Sequence, residues 1–564
     1  MARFRPKSCC TFHSPPGKSW EPPGRGSWWH WTPRDGGSGL CCSNLGSSGT
    51  LSRISWPDFG KNPAVRSTRR KSGRASGKKD AVWQSMCVQE STGSLFRRPV
   101  PSDWFLQISD LGPAKLRPEL CKSTTLVLQN CDLSCANQRL MAYSGRMNQL
   151  LTRHVSEVAH DILSYMPGLI IEGARQAGKS TLADCLAQSH PGAVTANLDD
   201  QPIRDAARDD PAGFVAQAGS GLLVVDEVQH LPELTLAIKT AIDHDRRPGR
   251  FVLTGSSSLW RLQGLADSLA GRVGRLHLFG FSQGELTEKL DDFASVIAGA
   301  PEQQIVSFTS SLQRDDYARL VAQGAYPPTV GLTERQRARW FDDYLQGLIR
   351  RDLPELRRQV DPARAESLLR LLAANQAGEL VKARLANESG IPASSVDDYL
   401  DLLGDLWLYA TLPPWTPNLT QREIGRRKAF VVDSGLTTRL SRLTAEHLSS
   451  YSYGKAFGSL LEGFVAAELL RQRTWSATSF DLFHYRNRTD LEIDLIIELG
   501  GGFVIALEVK AATSFQANQF KHLKVLRDRL GDRLIAGIVL NTGQTGYRFS
   551  ERLYGLPLSA LWSL

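Results

Sequence analysis

Beyond residue 135 the chain has one cysteine, Cys185. The body of the protein therefore lacks the partners for a disulfide framework or a thiolate metal cage. It also lacks any apolar run near the ~18 residues needed to cross a bilayer as a helix. The expectation is a cytoplasmic protein with no membrane association. A basic excess is missing too: residues 141–564 hold 46 Lys+Arg against 49 Asp+Glu, a net of −3. The overall +9 comes from residues 1–140, with 21 basic and 9 acidic residues. High charge of the whole chain is thus no sign of a nucleic-acid-binding body.

The first 140 residues differ in kind from the rest. They hold eight of the nine cysteines and seven of the thirteen tryptophans, among Pro/Gly/Ser-rich stretches, with little periodicity. A disulfide framework would want a secretory signal, and no apolar segment follows Met1. The adjacent pairs Cys9-Cys10 and Cys41-Cys42 are poor zinc ligands. An organellar transit peptide fits the Arg/Ser bias but not the tryptophans. The favoured reading is a disordered tail or a start placed too early, with Met141 and Met147 just ahead of the first patterned helix.

The nucleotide chemistry is legible in one stretch. Gly168–Ile171 is a short apolar run of the kind found in buried parallel strands, and GARQAGKST follows at 173–181, before a helical pattern. Strand, G-x-x-x-x-G-K-S and helix in that order make a phosphate loop. Gly173, Ala174, Arg175, Gln176, Ala177 and Gly178 are the loop whose backbone N–H groups would cradle phosphates. Lys179 supplies the charge, the Ser180 hydroxyl would hold Mg2+, and Thr181 opens the helix. ATP and Mg2+ are the expected cofactors.

Residues 222–227, LLVVDE, read as a second buried strand ending in two carboxylates. Asp226 would hold the Mg2+ and Glu227 would polarise the attacking water. A third strand ends RFVLTGSSS, where Thr254 and Ser256 are candidates for a polar sensor of the γ-phosphate. Arg272 and Arg275 are candidates to reach a phosphate, in cis or across a subunit interface of a homo-oligomer.

Taken together, GARQAGKST, LLVVDEVQ, VLTGSS and SLAGR resemble the AAA-type ATPase domain of a large group of prokaryotic ATPases. Members of that group commonly continue into a C-terminal domain of unknown function with a restriction-endonuclease-like core. The resemblance spans about 150–515. It implies an α/β protein with a P-loop AAA-type ATPase core and Mg2+-dependent ATP hydrolysis.

The middle of the chain is helical. In ERQRARWFDDYLQGLIRRDLPEL, the residues Trp340, Tyr344, Leu345, Leu348 and Ile349 share one face, suited to packing. Downstream, helix, a turn at Gly390-Ile391-Pro392, helix and strand suggest a winged-helix-like linker. Its second helix carries Asp397, Asp398, Asp401 and Asp405, which would repel phosphates; only Arg422–Lys428 is suitably basic. Protein packing is favoured over DNA reading.

Near the C-terminus, a helix bearing Glu462 and Glu468 precedes three strands, FDLFHYR, LEIDLIIEL and FVIALEVKA. Asp494 lies in the second; Glu508 and Lys510 lie two apart in the third, on one face. In metal-dependent nucleases of the restriction type, two carboxylates hold the metal and a lysine orients the water. Glu462, Asp494, Glu508 and Lys510 match that pattern, with Asp494 and Glu508 as metal ligands. The bland alternative is a strand-edge ion pair between Glu508 and Lys510.

The expected organisation is an extension at 1–140, an ATPase domain at 147–300, a helical region at 301–420 and a C-terminal α/β restriction-endonuclease-like domain at 421–564. Two functions compete. In one, ATP hydrolysis drives a C-terminal module acting on DNA. In the other, the chain is a nucleotide-dependent switch that binds a protein partner through a catalytically silent C-terminal domain.

Overall fold

A computed structural model describes residues 150–564 except 257–268, 301, 354–359, 418–419, 421, 423–424 and 488–490. In the N-terminal unit it describes only an antiparallel pairing of Trp29–His30 with Ser43–Asn44. The remaining expectations about residues 1–140 lie outside the described residues.

The first layer is built by apolar runs too short for helices. After helix α1 (Val155–Tyr165), strand β1 (Gly168–Glu172) leads through the loop to α2 (Lys179–Gln188). Next come β2 (Val194–Asn197), β3 (Leu223–Asp226), α3 (Leu234–His244), β4 (Phe251–Gly255) and β5 (Val273–His277). These strands make a parallel sheet in the order β2-β3-β4-β1-β5. Alternate residues serve opposite faces. Ile170, Val225 and Leu253 pack in one core, Leu169, Ile171 and Val224 in another, as a parallel sheet covered on both sides requires.

The middle region centres on α4 (Glu334–Gly347), α5 (Pro362–Ala374), a short strand β6 (Gly378–Glu379), α6 (Lys382–Ser389) and α7 (Val396–Asp405). Gly390 ends α6 at φ 69°, where a side chain would be strained. Strands β7 (Tyr409–Leu412) and β8 (Lys428–Val431) join β6 in an antiparallel sheet, order β6-β8-β7. Helix α8 (Ser434–Leu440) follows at once.

The last layer starts with the long α9 (Gly454–Gln472). Strands β9 (Phe480–Arg486), β10 (Glu492–Leu499) and β11 (Val504–Lys510) form an antiparallel meander. Helix α10 (Lys521–Leu530) then crosses over to β12 (Leu534–Asn541), parallel to β11, before β13 (Tyr547–Ser550) and β14 (Leu553–Pro557). The six-stranded order is β9-β10-β11-β12-β14-β13.

Two expected boundaries do not coincide with the packing. Phe293, Ile305, Tyr317 and Val321 pack with Phe464, Leu495 and Leu507, so residues flanking the 300/301 boundary cover the C-terminal sheet. The 420/421 boundary separates β8 from its partner β7. Period-two alternation explains why β8 belongs to both neighbours: Phe430 enters the C-terminal core while Ala429 and Val431 enter the middle one.

Candidate functional site

The phosphate loop leaves the C-terminal edge of β1. At Gly173 an added Cβ would lie 2.0 Å from the Leu278 carbonyl oxygen, so no larger residue fits without moving backbone. Gly178 caps α2 at φ 95°, the left-handed region. Lys179 is buried and donates to the carbonyls of Gly173 (3.1 Å) and Ala174 (3.0 Å). Burial pulls its pKa below the ordinary value, against the attraction of Glu227 and Asp226. Two outside groups hold two more of the loop's carbonyls. Arg153 donates to Ala177 (2.9 Å), and the Tyr344 hydroxyl to Arg175 (3.2 Å). Ser180 and Thr181 are exposed at the start of α2.

The strand order places β4 between β1 and β3, which brings the sequence-predicted polar groups together. Ser180 Oγ donates to Asp226 Oδ1 at 3.1 Å. The Thr254 hydroxyl donates to the same carboxylate oxygen and accepts the Glu227 N–H at 3.1 Å. Thr254 therefore positions both Asp226 and Glu227. Gln229, which the sequence reading passed over, donates to Glu227 Oε2 and to Ser256 Oγ (3.1 Å). Glu227 sits at φ 54°, an uncommon conformation for glutamate that these bonds maintain.

The donor set suits Mg2+. Hard oxygens of a hydroxyl and a carboxylate lie 3.1 Å apart. That is close to the edge of an octahedron with metal–oxygen distances of about 2.1 Å.

Arg272 does not join this group. In the β1/β5 register Gly168 faces Val273 and Glu172 faces His277, so Arg272 sits at the opposite edge of the sheet, roughly 13 Å of strand away. It pairs there with both oxygens of Asp243, at 2.8 and 2.9 Å. The reading in cis is corrected; reach into a neighbouring subunit is all that remains for it. Arg275 is bound to Glu172 (2.7 Å), one residue before the loop. Burial works against the Glu172 carboxylate, but His277 and Arg275 outweigh it and hold its pKa below the usual value.

The C-terminal carboxylates form a second centre. The β10/β11 ladder pairs Leu495 with Leu507 and stops. Beyond that point Asp494 Oδ2 accepts the Val509 N–H at 2.8 Å, so the side chain replaces a ladder carbonyl where the strands part. Lys510 Nζ stands 2.6 Å from Glu508 Oε2 and 3.5 Å from Asp494 Oδ2. Glu462 faces the same centre from α9.

Lys428, the last residue of the basic run, is buried with its ammonium 2.7 Å from Glu462 Oε1 and 2.9 Å from Glu492 Oε1. Its neighbours in the basic run are also engaged. Arg422 makes an ion pair with Glu498, and Arg426 lies 3.3 Å from Glu379. No signal in the sequence could have placed Lys428 against an acid 34 residues away.

Four carboxylates, Glu462, Glu492, Asp494 and Glu508, thus face two ammonium groups. Burial, then the charge of Asp494, pushes the Glu462 and Glu508 pKa values up to about 8. Added positive charge is favoured here. Glu508 Oε1 is buried without a hydrogen-bond partner, an acceptor suited to a divalent cation. Among the described residues, no three His, Cys, Asp or Glu side chains are already disposed as a metal cage. Asp494 and Glu508 would hold a cation only if the Lys510 ammonium moved aside.

The two centres are joined by buried polar contacts. Arg153, on the Ala177 carbonyl, also donates to Glu285 Oε1 at 3.0 Å. Glu285 and Ser282 cap each other reciprocally, and the adjacent Gln283 N–H donates to Glu468 Oε2 at 2.8 Å. Glu468 pairs with Arg471 (2.8 Å), which donates to the carbonyl of Val432, next to β8. Glu468 and Glu462 share α9, and β8 carries Lys428.

Comparisons with known proteins agree with the first centre. Residues 166–287 match a family described as an AAA domain. Residues 314–447 and 457–561 match two domains of unknown function, DUF8612 and DUF4143. Uncharacterized proteins of Mycobacterium tuberculosis and Mycobacterium bovis are each 28% identical over 432 residues, covering 75% of this chain and 87% of theirs. Among solved structures, a DNA replication initiation factor is 13% identical, covering 48% of this chain and 72% of its own, with a TM-score of 0.21. A STAND ATPase with a tetratricopeptide repeat sensor from Pyrococcus horikoshii is 12% identical, with coverages of 58% and 48% and a TM-score of 0.16. TM-scores this low carry no weight for the fold. The AAA-domain match, which contains the phosphate loop, Asp226 and Glu227, supports nucleotide binding and hydrolysis. Among the described residues no helix is long and apolar enough to cross a membrane.

Proposed function

We propose that this chain is a Mg2+-dependent ATPase whose nucleotide state controls a metal-dependent, nuclease-like C-terminal module acting on DNA. The observation that carries the coupling is the path from the Ala177 carbonyl through Arg153, Glu285 and Gln283 to Glu468 on α9. A phosphate that reshapes the loop changes what Arg153 holds, and α9 carries an acid of the second centre.

At the first centre Ser180 and Asp226 would hold Mg2+, which supplies charge to the phosphates when bound. Lys179 turns from the loop carbonyls to the phosphate oxygens. Glu227, fixed by Thr254 and Gln229, accepts a proton from the attacking water. At the second centre Asp494 and Glu508 would hold a divalent cation, and Lys510 would orient the water. A helix, an antiparallel meander and a parallel fourth strand after a crossover helix support the restriction-endonuclease-like reading of this layer.

A second reading has its own support: Lys510 closes the gap between Asp494 and Glu508, as it would in a silent domain used for docking a protein. The full chain with plasmid and linear DNA, Mg2+ or Mn2+, with and without ATP, separates the two. Cleavage lost in Asp494→Ala and Lys510→Ala supports the nuclease. Intact ATP hydrolysis with no cleavage supports the switch.

A further inference from the structure

In the basic run Arg422–Lys428, Arg422 and Lys428 are spent on largely buried ion pairs, while the exposed Arg426 lies beside Glu379. Positive charge collects elsewhere. Two clefts of about 650 and 500 Å3 meet at Arg439, Leu443 and Thr444, between α4, α5 and α8. Their walls carry Arg335, Arg337, Arg350, Arg370, Arg439 and Arg442, and not one lysine. Three acids oppose them. Asp342 binds Arg439 at 2.7 and 2.6 Å, Glu366 binds Arg370, and Glu334 lies beside Arg337.

Six guanidinium groups against three carboxylates leave a local excess of +3 on a body whose net charge is −3. Among the described residues no acid pairs with Arg350 or Arg442. Both are exposed. Arg442 stands at φ 56° in the turn that ends α8, a position glycine usually takes.

We infer that this groove binds the phosphodiester backbone of a nucleic-acid strand. Guanidinium rather than ammonium groups suit phosphate, since the planar fork donates two parallel hydrogen bonds to one group. The extent of the groove argues against a lone phosphate: Arg335 and Arg350 are fifteen residues apart along α4 and its continuation, about 22 Å at helical rise. The half-buried Leu440 and Leu443 line the first cleft between the charges, an apolar surface for sugar and base edges. None of these residues belongs to either centre described above. Binding therefore stands whether or not the C-terminal module cleaves.

The test is fluorescence anisotropy of the full chain with labelled 20-nucleotide DNA, RNA and duplex DNA between about 50 and 200 mM salt. Arg350→Ala/Arg442→Ala should weaken binding at least tenfold and lower the log–log salt slope by about 1 to 2. ATP turnover should stay within twofold, which shows that the variant is folded. Because residues 1–140 are themselves basic, the contact is also mapped with a 4-thiothymidine strand. Crosslinks within 334–352 or 434–444 support the groove, and the preferred arm tells RNA from DNA. Unchanged affinity and slope in the folded variant, crosslinks confined to other segments, or displacement by polyglutamate as effective as by DNA would each overturn it.

Discussion

Lys428 Nζ lies 2.7 Å from Glu462 Oε1, joining a strand of the middle sheet to a helix of the C-terminal layer. Lys428 is buried and Glu462 largely so, and the same ammonium also serves the more exposed Glu492 at 2.9 Å. Removing Lys428 takes away the charge that offsets the burial of Glu462 and its repulsion by Asp494. Lys428→Met should therefore destabilise the chain by ~3–5 kcal/mol in urea unfolding. Lys428→Met/Glu462→Gln should recover part of that loss. Strictly additive single effects would contradict the pairing.

ATP hydrolysis separates the roles at the first centre. Lys179→Ala should lower turnover by at least ~100-fold. Glu227→Gln should bind ATP normally yet turn over ~100-fold or more slowly, because only proton acceptance is lost. Thr254→Val removes the hydroxyl that aligns Asp226 and Glu227 and should reduce turnover more than Ser256→Ala. Full turnover in Lys179→Ala would sink the assignment of the loop.

Arg153 makes a prediction about communication. If its bonds to Ala177 and Glu285 transmit the nucleotide state, ATP should change hydrogen exchange along α9 in the native chain. Arg153→Ala should still bind ATP but lose that change. An α9 response as large in the variant as in the native chain rules the path out.

Glu468 makes stability depend on pH. Burial raises its pKa from the ordinary 4.5 to about 7, with Arg471 opposing. The folded chain then binds more protons than the unfolded chain between these values. The stability owed to this group is complete below about pH 4.5 and is lost as pH rises through 7, on the order of 3 kcal/mol. His484, pulled down to about 4 by burial, has the opposite slope between 4 and 6.5. Only the difference between native and Glu468→Gln chains isolates Glu468. That difference should move in favour of the variant as pH rises from 5 to 8, and a flat difference refutes the shift.

Much of the first centre was legible because its instructions are local. An apolar run, a glycine-spaced loop and a lysine at fixed offsets specify β1, the loop and α2 whatever surrounds them. The same holds for β9, β10 and β11, whose bounds follow apolar patterning to within one residue, and for Glu508 and Lys510, set on one face by period two. Glu462, Asp494, Glu508 and Lys510 were nameable as a group only through their match to the restriction-type nuclease pattern.

What stayed hidden depends on pairs far apart in the chain. The sequence contained the acids of both centres, but tertiary structure decided that Lys428 neutralises Glu462, that Arg153 grips Ala177, and that Arg272 faces Asp243 at the far edge of the sheet. It also decided that Arg422 and Lys428 are spent inside while arginines of three separate helical segments line one groove. Backbone patterning is a matter of neighbours within a few residues. The partner of a charged side chain is chosen by which elements pack together, and desolvation on burial then makes that choice costly to leave unpaired.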